Sequence, residues 1–159
     1  MPTVAIALGS NLGDRGAHLR WALNQLRPLL KNVKVSTFIE TDPVDVPDEQ
    51  GKYLNAVAVG EVEMSPQLLM RELGRIERER GRKRSSWRAA RTLDLDLILH
   101  GAAMIETENL TVPHPGFRGR MFVLEPLAEI APEMVDPKTG LTVGELLLKL
   151  QGASHKSQA

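Results

Sequence analysis

Apolar residues along this chain recur in two rhythms, one near 3.6 residues and one of two residues, and the rhythm changes at glycine, proline and serine positions. Residues 3–9 (TVAIALG) form an apolar run closed by Gly9, the pattern of a buried strand. After SNLGDR, Leu19, Ala22, Leu23, Leu26 and Leu29 or Leu30 keep helical spacing, which predicts a helix from about Asp14 that Pro28 kinks or ends. VKVSTFIET (33–41) alternates and is rich in β-branched residues, predicting a second strand. Residues 42–52 hold two prolines, a glycine and five charges, predicting a long surface loop. YLNAVAVGEVEM (53–64) reads as the third strand. Ser65-Pro66 then supplies a helix N-cap with proline at the first helical position. Leu69, Leu73, Ile76 and Arg80 carry that helix to Gly81, and TLDLDLIL (92–99), with strict alternation, is the fourth strand.

The order β-α-β-β-α-β predicts an α+β fold, a ferredoxin-like antiparallel sheet with helices packed on it. A C-terminal extension follows: a short strand or turn, the segment LTVPHPGFRGRMFVLEPL, and a last helix opened by a capping box from Thr142 to Glu145. Residues 1–150 are expected to form one domain and QGASHKSQA (151–159) a frayed, disordered tail. There is no internal repeat and no linker.

Composition narrows the chemistry. The 159 residues include no cysteine, which excludes disulfides, thiolate metal sites and thiol nucleophiles. His18, His100, His114 and His155 are scattered, so zinc is not expected. The N-terminus has no basic region before its short apolar run, and no stretch approaches the ~20 apolar residues of a membrane span. A cytoplasmic location with no membrane partner is the expectation. Twenty basic and twenty acidic residues cancel overall, but residues 78–91 (RERGRKRSSWRAAR) hold seven basic residues and one acid, so +6 there faces −6 elsewhere. One concentrated basic segment suggests a local anion site rather than a surface for polyanions.

The sharpest feature is Asp94-Leu95-Asp96. Alternation sends Leu93, Leu95, Leu97 and Leu99 to one side and Asp94, Asp96 and Ile98 to the other, with the aspartates ~7 Å apart along the backbone. Two hard cations would offset the repulsion and desolvation of such a pair, and Mg²⁺ favours carboxylates combined with substrate phosphates. The alternative is a solvated sheet face that keeps the protein soluble. Arg91, three residues upstream, has the geometry of a phosphate clamp. Arg82, Arg84, Arg88 and Arg91 suit planar, bidentate recognition of phosphate, against a plain solvated charge run. GSNLGDR lacks the Lys-Ser/Thr of a P-loop and reads better as a glycine turn feeding a helix N-cap. His114 lies between two prolines, more often a structural setting for a lone histidine, although Arg118 and Arg120 nearby would make a second anion-contact group. Tyr53 and Asn55 share a strand face and could stack on and hydrogen-bond a flat heterocycle, or be a core tyrosine and an edge amide.

Together these stretches are recognisable. ALGSNLGDR (7–15), TDPV (41–44), YLNAV (53–57), IERERGR (76–82), RTLDLDLIL (91–99) and LTVPHP with FVLEPL (110–127) resemble the 6-hydroxymethyl-7,8-dihydropterin pyrophosphokinase family of folate biosynthesis, over nearly the whole chain to about residue 150. The resemblance implies transfer of pyrophosphate from ATP to the pterin hydroxymethyl group, releasing AMP, with Asp94 and Asp96 as ligands of two Mg²⁺ ions. It makes Arg82 and Arg91 catalytic arginines for the transferring group. It assigns ATP contacts to Glu77, Arg84, Arg88, Arg91, Ile98, Thr111, His114 and Arg120, and pterin contacts to Thr41, Pro43, Val44, Tyr53, Asn55, Trp87 and Phe122. The family usually has Gly-Pro-Arg where this chain has Ala89-Ala90-Arg91, and often a glutamine at Gly74 and an arginine at Asn109.

Closure of segments 42–52 and 82–90 would exclude water from such a transfer. A monomer acting on small molecules, with no nucleic-acid partner, is expected, and 159 residues are too few for a fused dihydropteroate synthase. Two rivals share parts of the pattern. An RNA-binding ferredoxin-like module would need stacking aromatics on its central strands, and aromatic residues are only 4% of this chain. A palm-type nucleotidyl transferase also uses a strand D-x-D with two metals, but would need a larger chain to grip a template.

Overall fold

The computed structural model describes residues 1–41, 52–81 and 92–158. Strands β1 (Thr3–Ser10), β2 (Lys31–Val35), β3 (Ile39–Thr41), β4 (Tyr53–Glu61) and β5 (Asp94–His100) form one antiparallel sheet. Its order is β2-β4-β1-β5, with β3 paired to the other end of β4. Helices α1 (Arg15–Leu26) and α2 (Pro66–Glu79) make the two crossovers, completing the ferredoxin-like plan that the periodicities predict.

Local sequence explains where these elements start and stop. Asp14 caps α1 by accepting the Ala17 N–H at 3.1 Å, and Pro28 converts its end into a short 3-10 turn over Arg27–Leu29. Ser65 caps α2 by accepting the Leu68 N–H at 3.1 Å, worth about 1 kcal/mol for such a cap. Gly81, with φ of +93°, occupies the left-handed conformation that ends it. Leu19, Ala22, Leu23 and Leu26 of α1 and Leu69, Leu73 and Ile76 of α2 pack on Val4, Ile6, Leu8, Ala56, Ala58, Leu95 and Leu97. Each fully buried leucine or isoleucine contributes about 1.5–3 kcal/mol.

Among the described residues, helices cover one end of the opposite sheet face. Helix α3 (Met121–Ile130) and helix α4 (Val143–Gln158) pack Val123, Leu124, Leu127, Val143 and Leu146 on Ala5, Val57, Val59, Ile98 and Leu99. Helix α3 was not legible as a separate element, because Pro126 lies inside it. Its run of apolar residues is explained by that burial. A two-stranded ribbon, β6 (Ile105–Glu106) with β7 (Thr111–Val112), leads through a cis Val112–Pro113 bond toward it. The capping box at the start of α4 is present in both directions: Thr142 N–H to Glu145, and Glu145 N–H to Thr142.

Two expectations need correcting. The single strand 33–41 is two strands, separated by residues 36–38. Leu99 does not share a face with Leu95 and Leu97. The pairing of β5 with β1 skips Ile98, so Leu97 opposes Ile6 and Leu99 opposes Ala5, and Ile98 and Leu99 both enter the α3–α4 core. Helix α4 extends to Gln158.

Candidate active site

The two rows of residues at the end of this sheet face away from α3 and α4 define the site. In one, Asn55 of β4, Gly9 of β1 and Asp94 of β5 stand side by side, and in the next, Val57, Ala7 and Asp96 do so. Antiparallel partners directly opposite each other project to the same face, so both aspartates face the side on which α3 packs further along. They are half-buried there, while Ile98, two residues on, is 1% exposed. The alternation expected of Asp94 and Asp96 therefore holds where it matters, since the irregularity lies beyond them.

Gly9 shapes this face. A Cβ at Gly9 would come within 3.3 Å of Asn55 Oδ1 and 3.5 Å of Tyr53 Cδ1. The absent side chain leaves room between the Asn55–Tyr53 pair and Asp94. Asn55 is buried, and its Nδ2 donates to Thr41 Oγ1 at 2.7 Å. Thr41 in turn pairs with Tyr53 across β3 and β4. Three residues expected around a heterocycle, Thr41, Tyr53 and Asn55, thus meet on one face.

On the far side of the aspartates stands His114. Its backbone N–H donates to the Ile98 carbonyl at 2.9 Å, which ties the Pro-His-Pro segment to β5. Its Nδ1 accepts the Gly116 N–H at 3.1 Å, so a neutral ring carries its proton on Nε2. Burial of the ring holds its pKa below the ordinary histidine value; the Asp96 carboxylate pulls it upward and Arg120 pushes it down. That electrostatic coupling places His114, Asp96 and Arg120 in one neighbourhood. Arg120 precedes α3 and lies over the Phe122 ring, 5.9 Å from its centroid. Thr111 sits in β7, which lies against β5.

Other expected residues stand elsewhere. Ile98 is a core side chain, and its carbonyl is taken by His114. Glu77 is buried on the α2 side of β5, where Oε2 accepts the Leu95 N–H at 2.8 Å. Arg118 does not join Arg120 as an anion contact: its guanidinium makes two bonds, of 2.5 and 3.0 Å, to fully buried Asp136. Pro43, Val44, Arg82, Arg84, Trp87, Arg88 and Arg91 lie outside the described residues, as do most of the two segments expected to close.

One residue near the site was not singled out from sequence. Arg15, the first residue of α1, donates to Glu40 at 2.6 Å and to the Lys52 carbonyl at 2.8 Å. It thereby ties together the two ends of segment 42–51. The hydrogen bond from Arg15, with its charge, lowers the Glu40 pKa. The only sequence signal was Arg15 closing the GSNLGDR turn.

A ferredoxin-like sheet thus aligns, on one face, two strand carboxylates with a buried amide, a histidine and an arginine. Residues 5–132 match the family described as 7,8-dihydro-6-hydroxymethylpterin-pyrophosphokinase, and the chain belongs to that family. It is a pyrophosphokinase of folate biosynthesis, in a family that uses ATP.

A 2-amino-4-hydroxy-6-hydroxymethyldihydropteridine pyrophosphokinase of Haemophilus influenzae is 43% identical over 158 residues, covering 98% of this chain and 96% of its own length. The enzyme of the same name in Bacillus subtilis is 44% identical over 131 residues, covering 81% of this chain and 78% of its own. The folic acid synthesis protein fol1 of Schizosaccharomyces pombe is 37% identical over 147 residues, which make up only 20% of its length. A solved HPPK-DHPS in complex with substrates matches 98% of this chain with a TM-score of 0.75 at 12% identity, and the chain spans 44% of it. At that identity the likeness concerns the fold. Among the described residues, no helix is long and apolar enough to cross a membrane.

Proposed function

We propose that Asp94 and Asp96 hold two Mg²⁺ ions with ATP on their His114 side, and that the pterin lies on their Asn55 side. The observation that carries this reading is the alignment of Asn55, Gly9 and Asp94 across three strands, with room over Gly9. The donor set suits Mg²⁺: two hard carboxylates share a face, and among the described residues no group of three His, Asp or Glu is arranged to hold a metal by itself. The remaining coordination positions would fall to substrate oxygens and water, the preference of Mg²⁺. When bound, the ions would neutralise charge that builds up on the transferring group.

The protein residues divide the remaining work. Thr41, Tyr53, Asn55 and Phe122, joined by Pro43, Val44 and Trp87, would orient the pterin hydroxymethyl group toward the phosphate chain. Asn55 is suited to reading a flat heterocycle, because its amide is fixed by Thr41 and buried. Thr111, His114 and Arg120, with Arg84 and Arg88, would hold ATP. The neutral His114 ring, its proton on Nε2, would offer a donor to a phosphate oxygen. Arg82 and Arg91 would stabilise the group in flight, a role that depends on alignment more than on covalent chemistry.

The test is AMP release from MgATP and 6-hydroxymethyl-7,8-dihydropterin by Asp94→Ala and Asp96→Ala. Turnover should be abolished in each while circular dichroism stays that of the parent. Undiminished AMP release in either variant overturns the assignment.

A further inference from the structure

The break between β2 and β3 does more than interrupt a strand. Val35 opposes Ala58 and Ile39 opposes Asn55, so residues 36–38 face only residues 56 and 57, and β4's partner carries one extra residue. Strand side chains alternate faces, so one extra residue reverses the alternation beyond it. Val33 and Val35 pack with the α1–α2 core, whereas Ile39 and Thr41 lie opposite Asn55 and Tyr53 on the open face. Without the extra residue Thr41 would face the helices and could not receive the Asn55 amide.

Two side chains hold this irregularity in place. Ser36 is buried; its N–H donates to the Val57 carbonyl at 2.9 Å and its Oγ accepts the Val57 N–H at 2.8 Å, repairing the ladder. Thr37, the outward residue, is gripped from another element. The Glu129 carboxylate accepts the Thr37 N–H at 3.1 and 3.3 Å and its hydroxyl at 2.8 Å. Glu129 belongs to α3, the helix that carries Phe122 two turns earlier and follows directly on Arg120. The grip therefore fixes the strand bearing Thr41 to the helix bearing Phe122.

We propose that Glu129 is a positioning residue for the pterin, acting through Thr37 to hold the extra residue that turns Thr41 onto the site face. This rests on the reading that the pterin lies among Thr41, Tyr53, Asn55 and Phe122. Glu129 and Thr37 are both exposed, so their bonds add little to global stability. Their effect falls on the direction of a three-residue edge strand, and small misplacements of an orienting group cost affinity and rate disproportionately.

The experiment measures the Kd of 6-hydroxymethylpterin by its fluorescence, together with both substrate KM values, kcat and Tm. The variants are Glu129→Ala, Thr37→Ser and Thr41→Val. Glu129→Ala should weaken pterin binding and raise the pterin KM by roughly fivefold or more, with ATP KM within about twofold and Tm little changed. Thr37→Ser, which keeps both donors, should match the parent. Unchanged pterin Kd in Glu129→Ala, while Thr41→Val weakens it, overturns the positioning role alone. An equal rise in both KM values with a large fall in Tm also overturns it, leaving a purely structural contact. An unaltered pterin Kd in Thr41→Val removes the placement of the pterin, and the role of Glu129 with it.

Discussion

Glu77 Oε2 accepts the backbone N–H of Leu95 at 2.8 Å, at the residue that separates Asp94 from Asp96. β5 is the edge strand of the sheet, so a carboxylate from α2 supplies what a neighbouring strand would otherwise provide. The bond holds the two aspartates from behind, while their side chains face the site.

This arrangement separates two roles for Glu77. Glu77→Ala leaves a buried N–H unsatisfied and should cost about 1–3 kcal/mol, read by urea unfolding, together with a loss of turnover. Glu77→Gln keeps an acceptor oxygen and should retain most of the stability and most of the AMP release. Equal damage from both substitutions would show that the charge itself, rather than the hydrogen bond to β5, is what matters.

Asp136 anchors the turn before α4 to the segment leading into α3. It is fully buried and accepts from Arg118 twice, from the Thr139 hydroxyl and from the Lys138 N–H. Burial alone would raise its pKa, but these bonds outweigh burial and hold it below the usual aspartate value. A carboxylate with a depressed folded pKa contributes stability above its unfolded value, and that stability is lost as pH falls through the folded one. Asp136→Asn should therefore destabilise by about 3 kcal/mol near neutrality, with the difference from the parent shrinking below about pH 4. A difference that stays constant with pH contradicts the ion-pair account.

His18 reports on the joint between α1 and the end of α2. Its Nδ1 accepts the Arg80 Nε–H at 2.9 Å, while the Arg80 guanidinium lies 5.0 Å from the centre of the Trp21 ring. Burial, then the Arg80 charge, lowers its pKa, against a smaller pull from Asp14. The neutral ring is the one that can accept, so the joint is intact above the ordinary histidine value near 6.5 and weakens as pH falls below it. Proton NMR titration should give His18 a midpoint below that value, and Arg80→Ala should move it upward. A downward move in Arg80→Ala contradicts the assignment.

Much of this was legible in the sequence because single residues carry unambiguous physics. Asp14, Ser65, Pro66 and Gly81 mark helix ends, and strict alternation over Leu93–Leu97 places the aspartates correctly. What was not legible depends on pairing across the sheet. Nothing within VKVSTFIET announces that Ser36–Phe38 carries one residue more than β4 opposes, because Ser36 and Thr37 suit a regular strand equally well. The slip at Ile98 is hidden for the same reason, since isoleucine and leucine are equally apolar on either face. Arg118 and Arg120 look alike in sequence, and only the fold brings buried Asp136 to one of them. The family resemblance named Glu77 and Ile98 as ATP contacts. In the structure Ile98 lies in the core, and Glu77 accepts the Leu95 N–H of β5.

The central claim is that Asp94 and Asp96 together create the metal site. Counting Mn²⁺ bound per chain by electron paramagnetic resonance, with a non-hydrolysable ATP analogue and 6-hydroxymethylpterin present, tests it most directly. The parent should bind two ions, and the Asp94→Ala/Asp96→Ala double variant should fail to hold them at the same concentrations while keeping its fold. Two ions bound with undiminished affinity in the double variant would contradict the account.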